Sequence, residues 1–193
     1  MMDRARAEYP PMCRSPRTSL AGSLLVGMCV CAHAMTVAVA HAGERPPAVT
    51  DGPPAAGRRV RVTPPEHTGT PVHHTLWLPA DWTAEQRDAG RRWPVVIEYP
   101  GNHHPPSGSA GTVEGALLGR GLTRGAAIWA VLPCVEADGR SPAATWWGDV
   151  ETTVAYAKRN VPRICREFGG DPDRVLLCGF SRGAIATSFI GLA

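Results

Sequence analysis

A short apolar run, Val175-Leu176-Leu177-Cys178, ends directly in Gly179-Phe180-Ser181-Arg182-Gly183, and an Ala-rich stretch from Ala184 to Leu192 follows without a break. The run is short and continuously apolar, the mark of a strand covered on both faces. The stretch after it reads as the start of a helix, so the residues between must turn the chain from strand to helix in very little space. A Cβ at Gly179 or Gly183 would collide with the neighbouring helix or strand, and the residue at the apex is driven into a strained backbone conformation. That residue is Ser181.

The preceding chain repeats the alternation of strand and helix. Arg59 to Thr63 and Val72 to Leu78 read as an antiparallel entry hairpin, separated by a turn-prone segment from Pro64 to Pro71. Trp93 to Tyr99 and Ala126 to Leu132 are further buried strands, each closed by a proline, and Thr112 to Gly119 predicts one short helix between them. A longer helix is expected after Gly148. Val150, Val154, Ala157, Val161, Ile164 and Phe168 give it one apolar stripe, and Asp149 and Glu151 suit the positive end of its dipole. Pro162 should kink or divide it near Asn160, and Gly169-Gly170 should end it. Asp171-Pro172-Asp173-Arg174 predicts a turn. The alternation implies an α/β fold, a mostly parallel sheet with helices on both faces.

Composition narrows the function. The 193 residues suffice for one domain, and an apolar fraction of 44% suits a chain that buries a core. A net charge of +3, with basic residues scattered, points away from nucleic acid and anionic membrane surfaces. Arg14 and Arg17 precede an uncharged run of small and apolar residues from Leu20 to Ala40, the layout of a secretory signal. Ala40-His41-Ala42 places cleavage before Gly43, so residues 1–42 are the signal; Ala32-His33-Ala34 is the second choice. A membrane anchor of about twenty residues is the competing reading. On the first reading the product is secreted or periplasmic, with no stable membrane insertion after cleavage. Residues 43–57, rich in Pro, Gly and Ala, predict a flexible leader, which leaves 58–193 as the folded domain. Cys134, Cys165 and Cys178 remain after cleavage, in a compartment that permits disulfides. A Cys134–Cys165 bridge is open, and Cys178 reads as a packed small residue.

A serine hydroxyl projected from the sheet edge beside a helix N-terminus is placed to act as a nucleophile. Acyl transfer to it needs hydrogen-bond donors for the developing oxyanion. The backbone N–H of Arg182 is one. The second is expected from Pro100-Gly101-Asn102-His103-His104, the loop after the Trp93-to-Tyr99 strand. Asn102 is the favoured donor, because Pro100 has no N–H and Gly101 precedes the turn. His103 and His104 are expected to face substrate or solvent rather than a metal, and the rings of His73 and His74 should point to opposite faces of their strand. Trp146 and Trp147 fall where a sheet of this kind binds its ligand, placed either to stack on a sugar or phenolic ring or to plug the start of the helix that Asp149 caps. Glu98 reads as a buried, hydrogen-bonded carboxylate.

Asp171-Pro172-Asp173-Arg174-Val175, Gly179-Phe180-Ser181-Arg182-Gly183-Ala184 and an upstream strand ending in Tyr99-Pro100-Gly101 together resemble the extracellular esterase and polyester-depolymerase branch of the α/β-hydrolase superfamily, over roughly Val60 to the C-terminus. The resemblance implies an acyl-enzyme mechanism on Ser181, a small-molecule or polymeric ester as substrate, no cofactor, and a meeting of Asn102 with Ser181 in space. Two departures accompany it. The usual His-Gly of the oxyanion loop is Pro100-Gly101 here, with histidines displaced to His103 and His104. The acid and histidine that follow the serine in that superfamily have no counterpart in the twelve residues after Ser181. The expectation is a partial domain, truncated after the nucleophile helix and inactive by itself. A prolyl-oligopeptidase-type serine peptidase is the alternative among enzymes, and a non-catalytic carbohydrate-binding remnant the alternative outside them.

Overall fold

A computed structural model describes residues 45–146 and 148–192; the expected signal segment, its cleavage site and Trp147 lie outside these residues. Strands β1 (Val49–Thr50), β2 (Arg59–Val62) and β3 (His74–Trp77) come first, and helix α1 (Ala84–Asp88) leads to β4 (Trp93–Tyr99). A small hairpin, β5 (His103–His104) and β6 (Ser109–Ala110), precedes a 3-10 turn at Val113–Gly115 and helix α2 (Leu118–Thr123). Then come β7 (Ile128–Val131), β8 (Cys134–Val135), β9 (Pro142–Ala143), helix α3 (Val150–Phe168), β10 (Gly170–Gly179) and helix α4 (Arg182–Gly191).

Six strands form one mixed sheet in the order β1-β2-β3-β7-β4-β10. The pairs β2–β3 and β3–β7 are antiparallel, while β1–β2, β7–β4 and β4–β10 are parallel. The period of two along a strand divides the core. Val95, Ile97 and Tyr99 join Tyr156, Ala157, Ile164 and Ala186 on the face covered by α3 and α4. Val96, Trp129 and Val131 pack with Val113 and Ala116 on the other face, where α2 begins. Both central strands, β4 and β7, are covered on both sides, as their continuous apolarity predicts. No helix among the described residues is long and apolar enough to cross a membrane.

Several elements differ from the sequence expectation. The sheet begins inside the segment read as a leader: Val49–Thr50 runs parallel to β2, and Thr50 Oγ1 donates to the Arg59 carbonyl at 3.3 Å. Local composition hid this, since the partner strand supplies the bonding. The single helix expected over Thr112 to Gly119 is a 3-10 turn and a separate α2, with Ala116 extended between them. The buried Glu98 carboxylate starts α2 where it does, accepting from the amides of Leu118 at 3.0 Å and Gly119 at 2.8 Å. Helix α3 is not divided at Pro162. Pro162 is exposed, and the carbonyl that loses its donor belongs to exposed Lys158, where water can serve it. Its caps are as expected, with Asp149 accepting from the Thr152 amide at 2.8 Å and Gly169 ending the helix in the left-handed region. The Asp171–Arg174 turn is an irregularity within β10, whose register against β4 shifts between Gly170 and Val175. Cys134, Cys165 and Cys178 are all free thiols, with no bridge between Cys134 and Cys165. Cys178 packs against the second core cluster, and burial beside the Glu98 carboxylate pushes its thiol up to about 12. Strand β10 is an edge of the sheet, and Leu176 on it is 51% exposed although the run reads as doubly covered.

Candidate active site

Parallel pairing of β4 and β10 puts the ends of two loops side by side. Gly179 lies opposite Tyr99 in the register, so the turn that follows β10 meets the Pro100–His104 segment that follows β4. Ser181 takes φ 53° and ψ −117°, a positive φ that a non-glycine residue adopts only where its surroundings hold it. Both flanking glycines are required by close approach. A Cβ on Gly179 would overlap the backbone of Gly183 and Ala184, at the start of α4. One on Gly183 would overlap the carbonyl of Tyr99, at the end of β4. The turn closes with the Gly183 amide donating to Phe180 and the Ala184 amide to Ser181, both at 2.9 Å.

Ser181 is exposed, and its hydroxyl has no hydrogen-bond partner among the described residues. The backbone amides of Arg182 and Asn102 likewise donate to no acceptor among the described residues. Asn102 is braced through its other groups: its side-chain oxygen accepts from the Trp146 amide at 2.6 Å, and its carbonyl accepts from Ser109 Oγ at 2.6 Å. A Cβ on Gly101 would stand 3.2 Å from the Phe180 ring, which shows how closely the two loops abut. Beside them opens a cavity of about 390 Å³ whose walls include Glu98, Gly101, Ser109, Ala116, Leu118 and Phe180.

His103 and His104 lie in the β5–β6 hairpin rather than in an irregular loop, and both are exposed. Nδ1 of His103 faces the Ala110 carbonyl at 3.3 Å and Nδ1 of His104 faces Ser107 Oγ at 3.1 Å, so neither ring is bonded to Ser181. Trp146 is 63% exposed and has a positive φ of 52°. His73, just before β3, and His74, its first residue, part to different partners. His73 reaches Glu114 at 2.8 Å, while His74 is buried against the Tyr156 hydroxyl at 2.9 Å.

Two side chains carry more of this site than sequence reasoning assigned them. The carboxylate of Glu98, besides starting α2, accepts from Trp129 Nε1 at 2.8 Å, and the Arg59 guanidinium lies 4.4 Å above the Trp129 ring. Burial draws Arg59 down to about 10, against the opposing pull of Glu98 and Glu114. The Arg182 side chain, read only as the bearer of a backbone amide, is 2% exposed and donates to four carbonyls: Pro100 at 3.4 Å, Ala143 at 3.0 Å, Gly111 at 2.9 Å and Trp146. Burial lowers its pKa from the ordinary guanidinium value. A signal was present, since Arg182 is the one charged residue between Val175 and Ala193.

Fold and site together define a mixed α/β domain with a serine on a strained strand-to-helix turn, beside two backbone amides that find no acceptor among the described residues. No protein-family model matches the chain, and comparison with curated proteins finds no match.

Proposed function

We propose that the chain carries the nucleophile of an exported carboxylic-ester hydrolase of the α/β-hydrolase type, acting through an acyl-enzyme on Ser181. The observation that carries this reading is the Ser181 backbone, φ 53° and ψ −117°, held between two glycines that have no room for a Cβ. Strain of this kind costs about 1–3 kcal/mol and is kept where it serves a site. In the proposed reaction Ser181 Oγ attacks the ester carbonyl carbon while a general base takes the hydroxyl proton. The amides of Arg182 and Asn102 receive the oxyanion, the alcohol leaves with a proton, and water then releases the acid. A small or polymeric uncharged ester suits the cavity beside Phe180, where the one carboxylate among the lining residues, that of Glu98, already receives three donors.

Among the described residues no general base is bonded to the Ser181 hydroxyl. With its hydroxyl unpaired among the described residues, Ser181 is in position but not activated, so the 193-residue chain should hydrolyse esters slowly. Oxyanion stabilisation and binding alone support about 10³–10⁴-fold acceleration over water. A form of the protein that brings an Asp and a His to Ser181 should be much faster. The test is burst kinetics with p-nitrophenyl acetate on the chain and on any longer natural product, each with Ser181→Ala. Equal rates with and without the Ser181→Ala substitution, in both forms, would overturn the reading. Rapid turnover by the short chain that vanishes in Ser181→Ala would make His103 or His104 the base. Export is tested separately by N-terminal sequencing: the reading requires a mature start at Gly43 or Met35, and retention in the cytoplasm would end it.

A further inference from the structure

Three segments distant in sequence converge around one buried cation. The loop after β4 contributes the Pro100 carbonyl, the residue after the β5–β6 hairpin contributes Gly111, and the segment before α3 contributes Ala143 and Trp146; all four carbonyls accept from Arg182. These segments also touch one another. The His103 amide donates to Ala144 at 2.8 Å, the Trp146 amide donates to Asn102 Oδ1 at 2.6 Å, and a Cβ on Gly111 would overlap the backbone of Ala144 and His103. Asn102 therefore belongs to a unit that Arg182 holds from beneath, while Arg182 itself is the first residue of α4 and adjoins Ser181 in the chain.

We propose that the Arg182 side chain is a positioning residue, which fixes the loop bearing the Asn102 amide against the turn bearing Ser181. The inference rests on the reading of Ser181 as a nucleophile. Its physical basis is the shape of the group. A guanidinium presents five N–H donors in a rigid plane and can span several acceptors at once, whereas an ammonium is a point charge with three mobile donors. No carboxylate pairs with Arg182 among the described residues, so carbonyl dipoles alone compensate its burial. An isolated buried charge is costly, and an apolar residue of similar volume often serves stability as well or better. What an apolar residue cannot do is set four carbonyls, and with them the amides of the same segments, in one arrangement. Oxyanion donors work only when they are held in place before the charge develops, and a misplacement of about 1 Å can cost about a hundredfold in rate.

The test compares the parent chain with Arg182→Met, Arg182→Lys and Arg182→Gly, using p-nitrophenyl acetate turnover with the Ser181→Ala rate subtracted, together with amide hydrogen exchange. Arg182→Met should lower kcat about tenfold to a hundredfold with KM nearly unchanged, and should speed exchange at the His103 and Trp146 amides while β4 and β7 stay protected. Arg182→Lys should recover part of both. Added methylguanidinium should restore kcat and protection in Arg182→Gly but do nothing for Arg182→Met, whose side chain fills the space. Unchanged kcat and exchange in Arg182→Met would overturn the proposal. So would a loss of protection spread over the whole sheet that neither Lys nor methylguanidinium repairs, because the role would then be general stability. If the parent and Ser181→Ala rates coincide both in this chain and in any longer natural product, it is the nucleophile reading that fails; exchange and its rescue by methylguanidinium decide by themselves whether Arg182 sets the loop.

Discussion

The Gly183 backbone lies so close to the Tyr99 carbonyl that no side chain fits between them. This contact fastens the first turn of α4 to the last residue of β4, while Gly179 makes the matching contact from β10 to α4. Helix, strand and turn are thereby locked with Ser181 at their meeting point. Gly183→Ala should force α4 away from β4, at a cost of about 1–3 kcal/mol or more, read as a lower urea midpoint. Gly121→Ala is the control. Nothing lies within 4 Å of a Cβ built there, in α2, so that variant should gain a few tenths of a kcal/mol, up to about 1. An unchanged midpoint in Gly183→Ala would mean that the close approach is not required.

Strain at Ser181 makes a separate prediction. Glycine tolerates φ 53° and ψ −117° far better than a residue with a Cβ, so Ser181→Gly should be more stable than Ser181→Ala by about 1 kcal/mol. Both variants lack the hydroxyl, and the difference therefore isolates the backbone. Thermal melts of the pair decide it, and equal melting temperatures would argue against strain.

Glu98 holds three donors in the core. Glu98→Ala would leave the amides of Leu118 and Gly119 and the indole N–H of Trp129 without acceptors, costing about 3 kcal/mol or more in total. Glu98→Gln keeps one acceptor and sets an NH₂ against donors, so it should fall between the two. Hydrogen exchange should place the damage at the start of α2, and a loss confined to β10 would contradict this account.

His74 carries a prediction for the response to acid. Burial, helped by the nearby His73 and Arg163 and opposed by Glu66, draws its pKa from 6.5 down to about 3. In the folded state the ring stays neutral against the Tyr156 hydroxyl, while in the unfolded chain it takes a proton as pH falls through about 6.5. The unfolded state thus binds more protons between about pH 6.5 and 3. Its contribution is fully present above about pH 6.5 and is lost on acidification at about 1.4 kcal/mol per pH unit. His74→Asn should flatten that part of the stability profile. Parallel profiles for variant and parent would show that other groups govern acid unfolding.

Elements with local causes could be read from the chain without its partners. The two glycines and the strand and helix around Ser181, the limits of β4 and both caps of α3 follow from residues within a few positions of one another. The positions of the Arg182 and Asn102 amides also follow from the chain, since one follows Ser181 directly and the other follows the end of β4. What the side chains of Glu98 and Arg182 do emerges only on packing. The carbonyls that Arg182 holds lie between 36 and 82 residues away, and sheet order, rather than any local pattern, brings them to one point. The same holds for β1, which pairs because β2 offers an open edge, and for α2, which begins where a carboxylate twenty residues earlier meets its first amides. Hydrophobic periodicity tells which face of an element is buried, but a hydrogen bond needs its partner's position to within a few tenths of an ångström, and the packed chain sets that.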